Sequence, residues 1–105
     1  MHLPFSTDSL QTPCYVTDVA ALKRNGEILK SVQQETGCKI LLAQKAFSMF
    51  ATYPILKPYL AGTTASGLYE AKLGREEMGG EVHIFSPAYP CLLYTSDAAD
   101  DMQCV

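Results

Sequence analysis

The feature that most constrains this chain is a short apolar run that ends on a lone lysine. Residues 39–48 read KILLAQKAFS, with Ile40, Leu41, Leu42 and Ala43 apolar without a break. The run is short for a helix and lacks the alternation of a strand with one wet face, so it predicts a parallel strand covered on both faces. Lys45 then stands just past the C-terminal end of that strand. In α/β sheets this edge gathers ligands and reacting groups, because the loops converge there. A primary amine so placed is a candidate for imine formation with an aldehyde. Only the neutral amine attacks, and a free lysine side chain, with a pKa of about 10.4, offers roughly one neutral molecule in 2,500 at neutral pH. Apolar walls from residues 40–43, Phe47, Met49 and Phe50 would disfavour the charged form. By spacing alone, Lys45 reads as a strand-end lysine that reaches water along its own stem.

The rest of the chain alternates in the same way. Residues 12–17, TPCYVT, are rich in β-formers and predict a short opening strand, with Pro13 near its start. Asp18 is an N-cap candidate for a helix over 19–36, in which Leu22, Ile28, Leu29 and Val32 recur at helical spacing and Gly37 is placed to end it. Gly26 is expected to weaken its middle, and Lys23, Arg24, Glu27 and Lys30 to form its wet face. Residues 47–60 are aromatic and apolar but hold Pro54 and Pro58, which allows one short helix with an irregular start or two broken pieces. A small-residue strand is expected over 61–65, then a helix over 67–78 with Ser66 as its cap and Glu70 in its first turn. Gly79 and Gly80 stop that helix, and a last strand runs over 81–86. His83, inside that strand, reads as a hydrogen-bonded core histidine. The alternation predicts βαβ units on a parallel sheet.

Composition narrows the class. A chain of 105 residues, 48% of them hydrophobic, suits one modest domain. No apolar run approaches the roughly 20 residues of a membrane span, and residues 1–11 lack the basic and apolar regions of a signal peptide, so a cytoplasmic protein is expected. Cys14, Cys38, Cys91 and Cys104 show no paired spacing, and His2 and His83 lie far apart, which indicates neither a metal site nor a disulfide framework. The net charge is −3, with lysines and arginines spread rather than striped, so no nucleic-acid partner is expected.

Four stretches together carry a family likeness: TPCYVTD at 12–18, KILLAQKAFSMF at 39–50, GTTASGLYEAKLG at 62–74 and EVHIFSPAY at 81–89. They resemble the carboxynorspermidine (carboxyspermidine) decarboxylases, pyridoxal-phosphate decarboxylases of the alanine-racemase-like fold whose relatives include diaminopimelate and ornithine decarboxylases. The likeness is most specific at AxKxFS and at HxxSPAY. It implies that Lys45 is the lysine that forms an imine with pyridoxal 5′-phosphate. It implies too that Ser66 and Glu70 of the ASxxxE pattern lie near the cofactor on the next βα loop, and it sets His83 among the cofactor-binding residues. Gln44 departs from the pattern, since the family has leucine or a similar residue there.

The implied reaction is decarboxylation of a small polyamine precursor, carboxynorspermidine or carboxyspermidine, to norspermidine or spermidine, in a parent that is a homodimer. The implied fold is a (β/α)8 barrel, which needs about 250 residues. This chain accounts for the N-terminal part of one, about three βα units plus the opening strand, over residues 1–90. A truncated barrel exposes sheet edges and lacks most of the active site, so the fragment itself is expected to be inactive. Residues 91–100, CLLYTSDAAD, resemble the in-frame translation of a transposase-type sequencing adapter, which makes 91–105 a non-native tail. The tail brings Asp97, Asp100 and Asp101. Without them eight acids balance eight bases and the net charge vanishes.

Overall fold

The structure, a computed structural model, describes residue 3 and residues 5–87. The expected 91–105 tail, His2, and the end of the 1–90 unit lie outside the described residues.

Helix α1 spans Val19–Thr36. Asp18 caps it by accepting from the Ala21 amide, while Gly37, at φ 74°, closes it by donating its own amide to the Gln33 carbonyl. Both ends therefore satisfy backbone groups that a helix terminus leaves unpaired. Gly26 is buried, and its place is set by packing: a Cβ there would lie 2.6 Å from the Tyr59 ring. Its missing side chain lets the ring lie on the helix. Ile28 and Val32, expected to share the apolar stripe, are exposed.

Strand β1 is Leu41–Ala43, β2 is Gly62–Ala65 and β3 is Glu81–Ile84, forming one parallel sheet in the order β1-β2-β3. Leu42 pairs with Thr63, and Thr63 with Val82. Between β1 and β2 the chain makes a 3-10 turn, Phe50–Thr52, and then the single α turn α2, Tyr53–Leu56, with Pro54 in its opening positions. Of the two arrangements the prolines allowed, the single short helix with an irregular start forms, since the 3-10 turn runs directly into α2. Helix α3 is Leu68–Leu73 and runs on into a π turn at Gly74–Met78. The expected single α-helix over 67–78 thus widens halfway. Gly79 and Gly80 end it, at φ 74° and 72°.

The core lies on one side of the sheet. Tyr53, Leu56 and Met78 are buried together, with Leu22, Leu42, Phe47, Leu60 and Leu73 packed around them. Alternate strand residues set this face: Leu42 reaches the core cluster, and Thr63 and Ala65 are buried. The other face carries Leu41, Ala43, Gly62, Thr64, Glu81 and His83, of which only Gly62, pressed against the Glu81 backbone, is buried.

Three expectations are corrected. Residues 12–17 form no strand; Tyr15 is almost fully exposed, and β-propensity without a neighbouring strand to pair with leaves a chain extended but unbonded. The 40–43 run is not covered on both faces: only Leu42 of its residues packs against the core cluster, and none of the four is buried. His83 is no core histidine. Its place in β3 puts it on the uncovered face, where it stays exposed, with Nε2 3.5 Å from the Glu81 carboxylate.

Candidate functional site

Parallel strands bring their C-terminal ends to one edge. Lys45 follows β1 by two residues and Ser66 follows β2 directly, and these strands are neighbours. The β1 end is shaped by a tight turn in which the amides of Ala46 and Phe47 both donate to the Ala43 carbonyl, at 3.0 and 3.2 Å. Lys45 stands in this turn, past the end of the strand, with the buried Gln44 before it and the exposed Ala46 after it. Lys45 is exposed, as are Ala46 and Phe50, so the apolar enclosure expected around it does not form among the described residues.

Ser66 was expected to cap α3, yet the N-cap position is Gly67, which makes no side-chain cap bond. The roles run the other way: the Ser66 backbone amide donates to the Glu70 carboxylate. Glu70, one turn into α3, thereby folds the β2–α3 loop back on itself. Its negative charge in the first turn also suits the helix dipole. His83 pairs in register with Thr64 and so sits lower in the sheet than Ser66. Of the four sequence-predicted site residues, Lys45, Ser66 and Glu70 gather at the C-terminal edge. His83 lies on the uncovered face, in a Glu81-centred group that also includes Lys39.

Sequence reasoning missed Gln44. It is 2% exposed in a strand-end turn, and its amide nitrogen donates to the carbonyls of Glu70, at 2.7 Å, and Thr64, at 3.3 Å. Its Oε1 accepts from the Tyr53 hydroxyl at 3.0 Å. Burial, and secondarily the charge of Glu70, raise the Tyr53 phenol above its usual pKa, so it stays a donor. Close packing makes this network possible, since a Cβ on Gly74 would lie 2.1 Å from Thr63 Oγ1 and 3.0 Å from Gln44 Nε2. The available signal was the one polar side chain interrupting an apolar strand end; a buried amide there needs partners.

The sequence and fold of this segment are shared with known proteins. No family model matches the chain. Among curated proteins it is similar to the carboxynorspermidine/carboxyspermidine decarboxylase of Herminiimonas arsenicoxydans, 41% identical over 80 residues, which are 76% of this chain and 22% of that protein. The protein of the same name from Campylobacter jejuni is 43% identical over 82 residues, 78% of this chain and 22% of its own. A carboxyaminopropylagmatine decarboxylase from Synechocystis is 42% identical over 81 residues, 77% and 21%. The crystal structure of Campylobacter jejuni carboxynorspermidine decarboxylase complexed with norspermidine superposes with a TM-score of 0.73 at 44% identity, covering 75% of this chain and 22% of that one. Over about three quarters of its length this chain is thus similar to proteins named carboxynorspermidine/carboxyspermidine decarboxylase. It spans about a fifth of the length of the curated relatives it matches. Among the described residues, no helix is long and apolar enough to cross a membrane.

Proposed function

We propose that the chain is the N-terminal part of a pyridoxal-phosphate-dependent decarboxylase of polyamine biosynthesis. In this reading the parent is a cytoplasmic homodimer built on a (β/α)8 barrel and acts on carboxynorspermidine or carboxyspermidine, and the fragment alone is inactive. The observation that carries it is Lys45, exposed at the C-terminal edge of β1, in a sheet whose core packs against one face. A barrel keeps its helices outside and its reacting groups at that edge of the strands, whereas a doubly wound sheet is covered on both faces. The three-strand sheet with one covered face suits the first arrangement.

The residues present fit the cofactor. Lys45 offers an exposed primary amine that makes no hydrogen bond or ion pair among the described residues, the donor an aldehyde needs. Lys45 would hold the cofactor, with the Ser66 hydroxyl on the adjoining loop and the His83 imidazole on the uncovered face as further contacts. Glu70 serves indirectly, because its carboxylate already holds the Ser66 amide and so fixes that loop. When bound, pyridoxal phosphate supplies an electron sink for the carbon that loses carbon dioxide. Lys45 Nζ, when not holding the cofactor, would be the amine placed to return a proton to that carbon. The names of the relatives extend the substrate class to carboxyaminopropylagmatine.

The test uses the protein expressed from its complete gene. The wild type is expected to bind pyridoxal phosphate with the absorbance of a lysine imine and to release carbon dioxide from carboxynorspermidine. Lys45→Ala is expected to lose the absorbance and to fall to about a thousandth of the rate or less. Cofactor binding without carbon dioxide release from any of the three carboxylated polyamines would make it a non-catalytic cofactor-binding barrel. Release from diaminopimelate or ornithine alone would place it with those decarboxylases.

A further inference from the structure

We propose that Gln44 is a positioning residue for Lys45, a role that rests on the reading of Lys45 given above. The two residues are adjacent in the turn after β1 but meet opposite surroundings. Lys45 is exposed, whereas Gln44 is 2% exposed and bonded beneath the edge to α2 and α3. The Gln44 backbone amide donates to the Thr64 carbonyl at 3.3 Å, carrying the β1–β2 ladder one residue past β1. Its side chain then spans three elements: the end of β2 through the Thr64 carbonyl, α3 through the Glu70 carbonyl, and α2 through the Tyr53 hydroxyl.

The Glu70 contact gives the network its functional sense. The residue whose carbonyl accepts from Gln44 is the one whose carboxylate accepts from the Ser66 amide. One buried amide therefore references both halves of the edge, the turn that carries Lys45 and the loop that carries Ser66. A rigid ligand that must meet both at once depends on their relative placement, and displacements well under an ångström change such encounters. A small aldehyde that meets only the amine does not.

Removing Gln44 alone would leave the buried Tyr53 hydroxyl without its acceptor, a cost to folding that obscures the question. The double variant Gln44→Leu, Tyr53→Phe avoids it, replacing both partners with apolar side chains of similar size. The two carbonyls keep backbone donors, Thr64 from the Gln44 amide and Glu70 from the Gly74 amide.

The experiment uses the protein from the complete gene, freed of cofactor, with two probes followed by peptide mass at Lys45. The first is pyridoxal 5′-phosphate trapped with borohydride: the Lys45 amine adds to the aldehyde carbon, water leaves, and hydride reduces the product to a secondary amine. The second is formaldehyde with cyanoborohydride, which methylates the same amine by the same steps without needing the neighbouring loop. The double variant is expected to trap pyridoxal phosphate at Lys45 about tenfold more slowly, the factor that one or two lost net hydrogen bonds represent. Methylation of Lys45 and the melting temperature are expected to stay as in the wild type. Equal trapping in variant and wild type would overturn the positioning role while leaving Lys45 as the cofactor lysine. A parallel fall in methylation would overturn it as well, since Gln44 would then merely hold the turn together. A wild type that traps nothing at Lys45 while Lys45 is still methylated would sink the cofactor reading and this role with it.

Discussion

The two faces of the sheet are made of alternate residues of the same three strands, yet they meet different surroundings. Leu42, Thr63 and Ala65 lie under α2, α3 and the π turn, and Thr63 is wholly buried. One residue along, Leu41, Ala43, Thr64, Glu81 and His83 are half-buried or exposed. The contrast shows a division of labour within single strands. One set of side chains holds the helices, and the other is left free of them. Covered-face substitutions should therefore register as stability, and open-face substitutions as electrostatics or chemistry.

The largest effect expected from that division is at Met78, 2% exposed beneath the sheet. Met78→Ala should destabilise the protein by about 2–5 kcal/mol in denaturant unfolding, through lost burial and the cavity left behind. A loss well under 1 kcal/mol would mean that the covered face is not the core. Next is Gly74→Ala, which adds a methyl 2.1 Å from Thr63 Oγ1 and 3.0 Å from Gln44 Nε2. Overpacking of this kind costs about 1–3 kcal/mol, and a thermal melt of the variant reads it. Thr63→Ser would not relieve it, because the clashing oxygen stays.

The smallest effect belongs to the open face. The Glu81 carboxyl is held below its ordinary pKa of 4.5, first by its hydrogen bond to Lys39, with His83 adding to the shift and partial burial opposing it. A depressed acid contributes stability that is present above its unfolded pKa and lost as pH falls through the folded one. Glu81→Gln should thus lower stability near neutrality by only the small amount an exposed pair contributes, and flatten by the same amount its decline in the acid range below about pH 4.5. If the variant instead melts far earlier at neutral pH, the open face bears load and the comparison fails.

Local signals made much of the fold legible. The α1 caps, Asp18 and Gly37, carry their own chemistry, and the helix appeared between them. The three strands and the Gly79-Gly80 stop were equally local. What stayed hidden depended on partners distant in sequence. Residues 12–17 have strand composition but nothing to pair with. Gly26 reads as a weakness until Tyr59 is seen against it, and Ser66 reads as a cap until the Glu70 carboxylate turns back to its amide. Lys45 at the strand edge followed from the apolar run ahead of it. Gln44 did not, because the run shows that a polar residue interrupts it but not that three elements converge there.

Gly79 and Gly80 set how this segment can vary. Both sit at positive φ, and at Gly80 a Cβ would come within 2.5 Å of the Ala61 carbonyl oxygen. The turn that delivers β3 beside β2 is therefore bought with the absence of two carbon atoms. A side chain at Gly80 would displace the Ala61 backbone that seats β3 beside β2, while leaving every chemically active group of the edge in the sequence; the site can thus be disturbed without losing one of its residues.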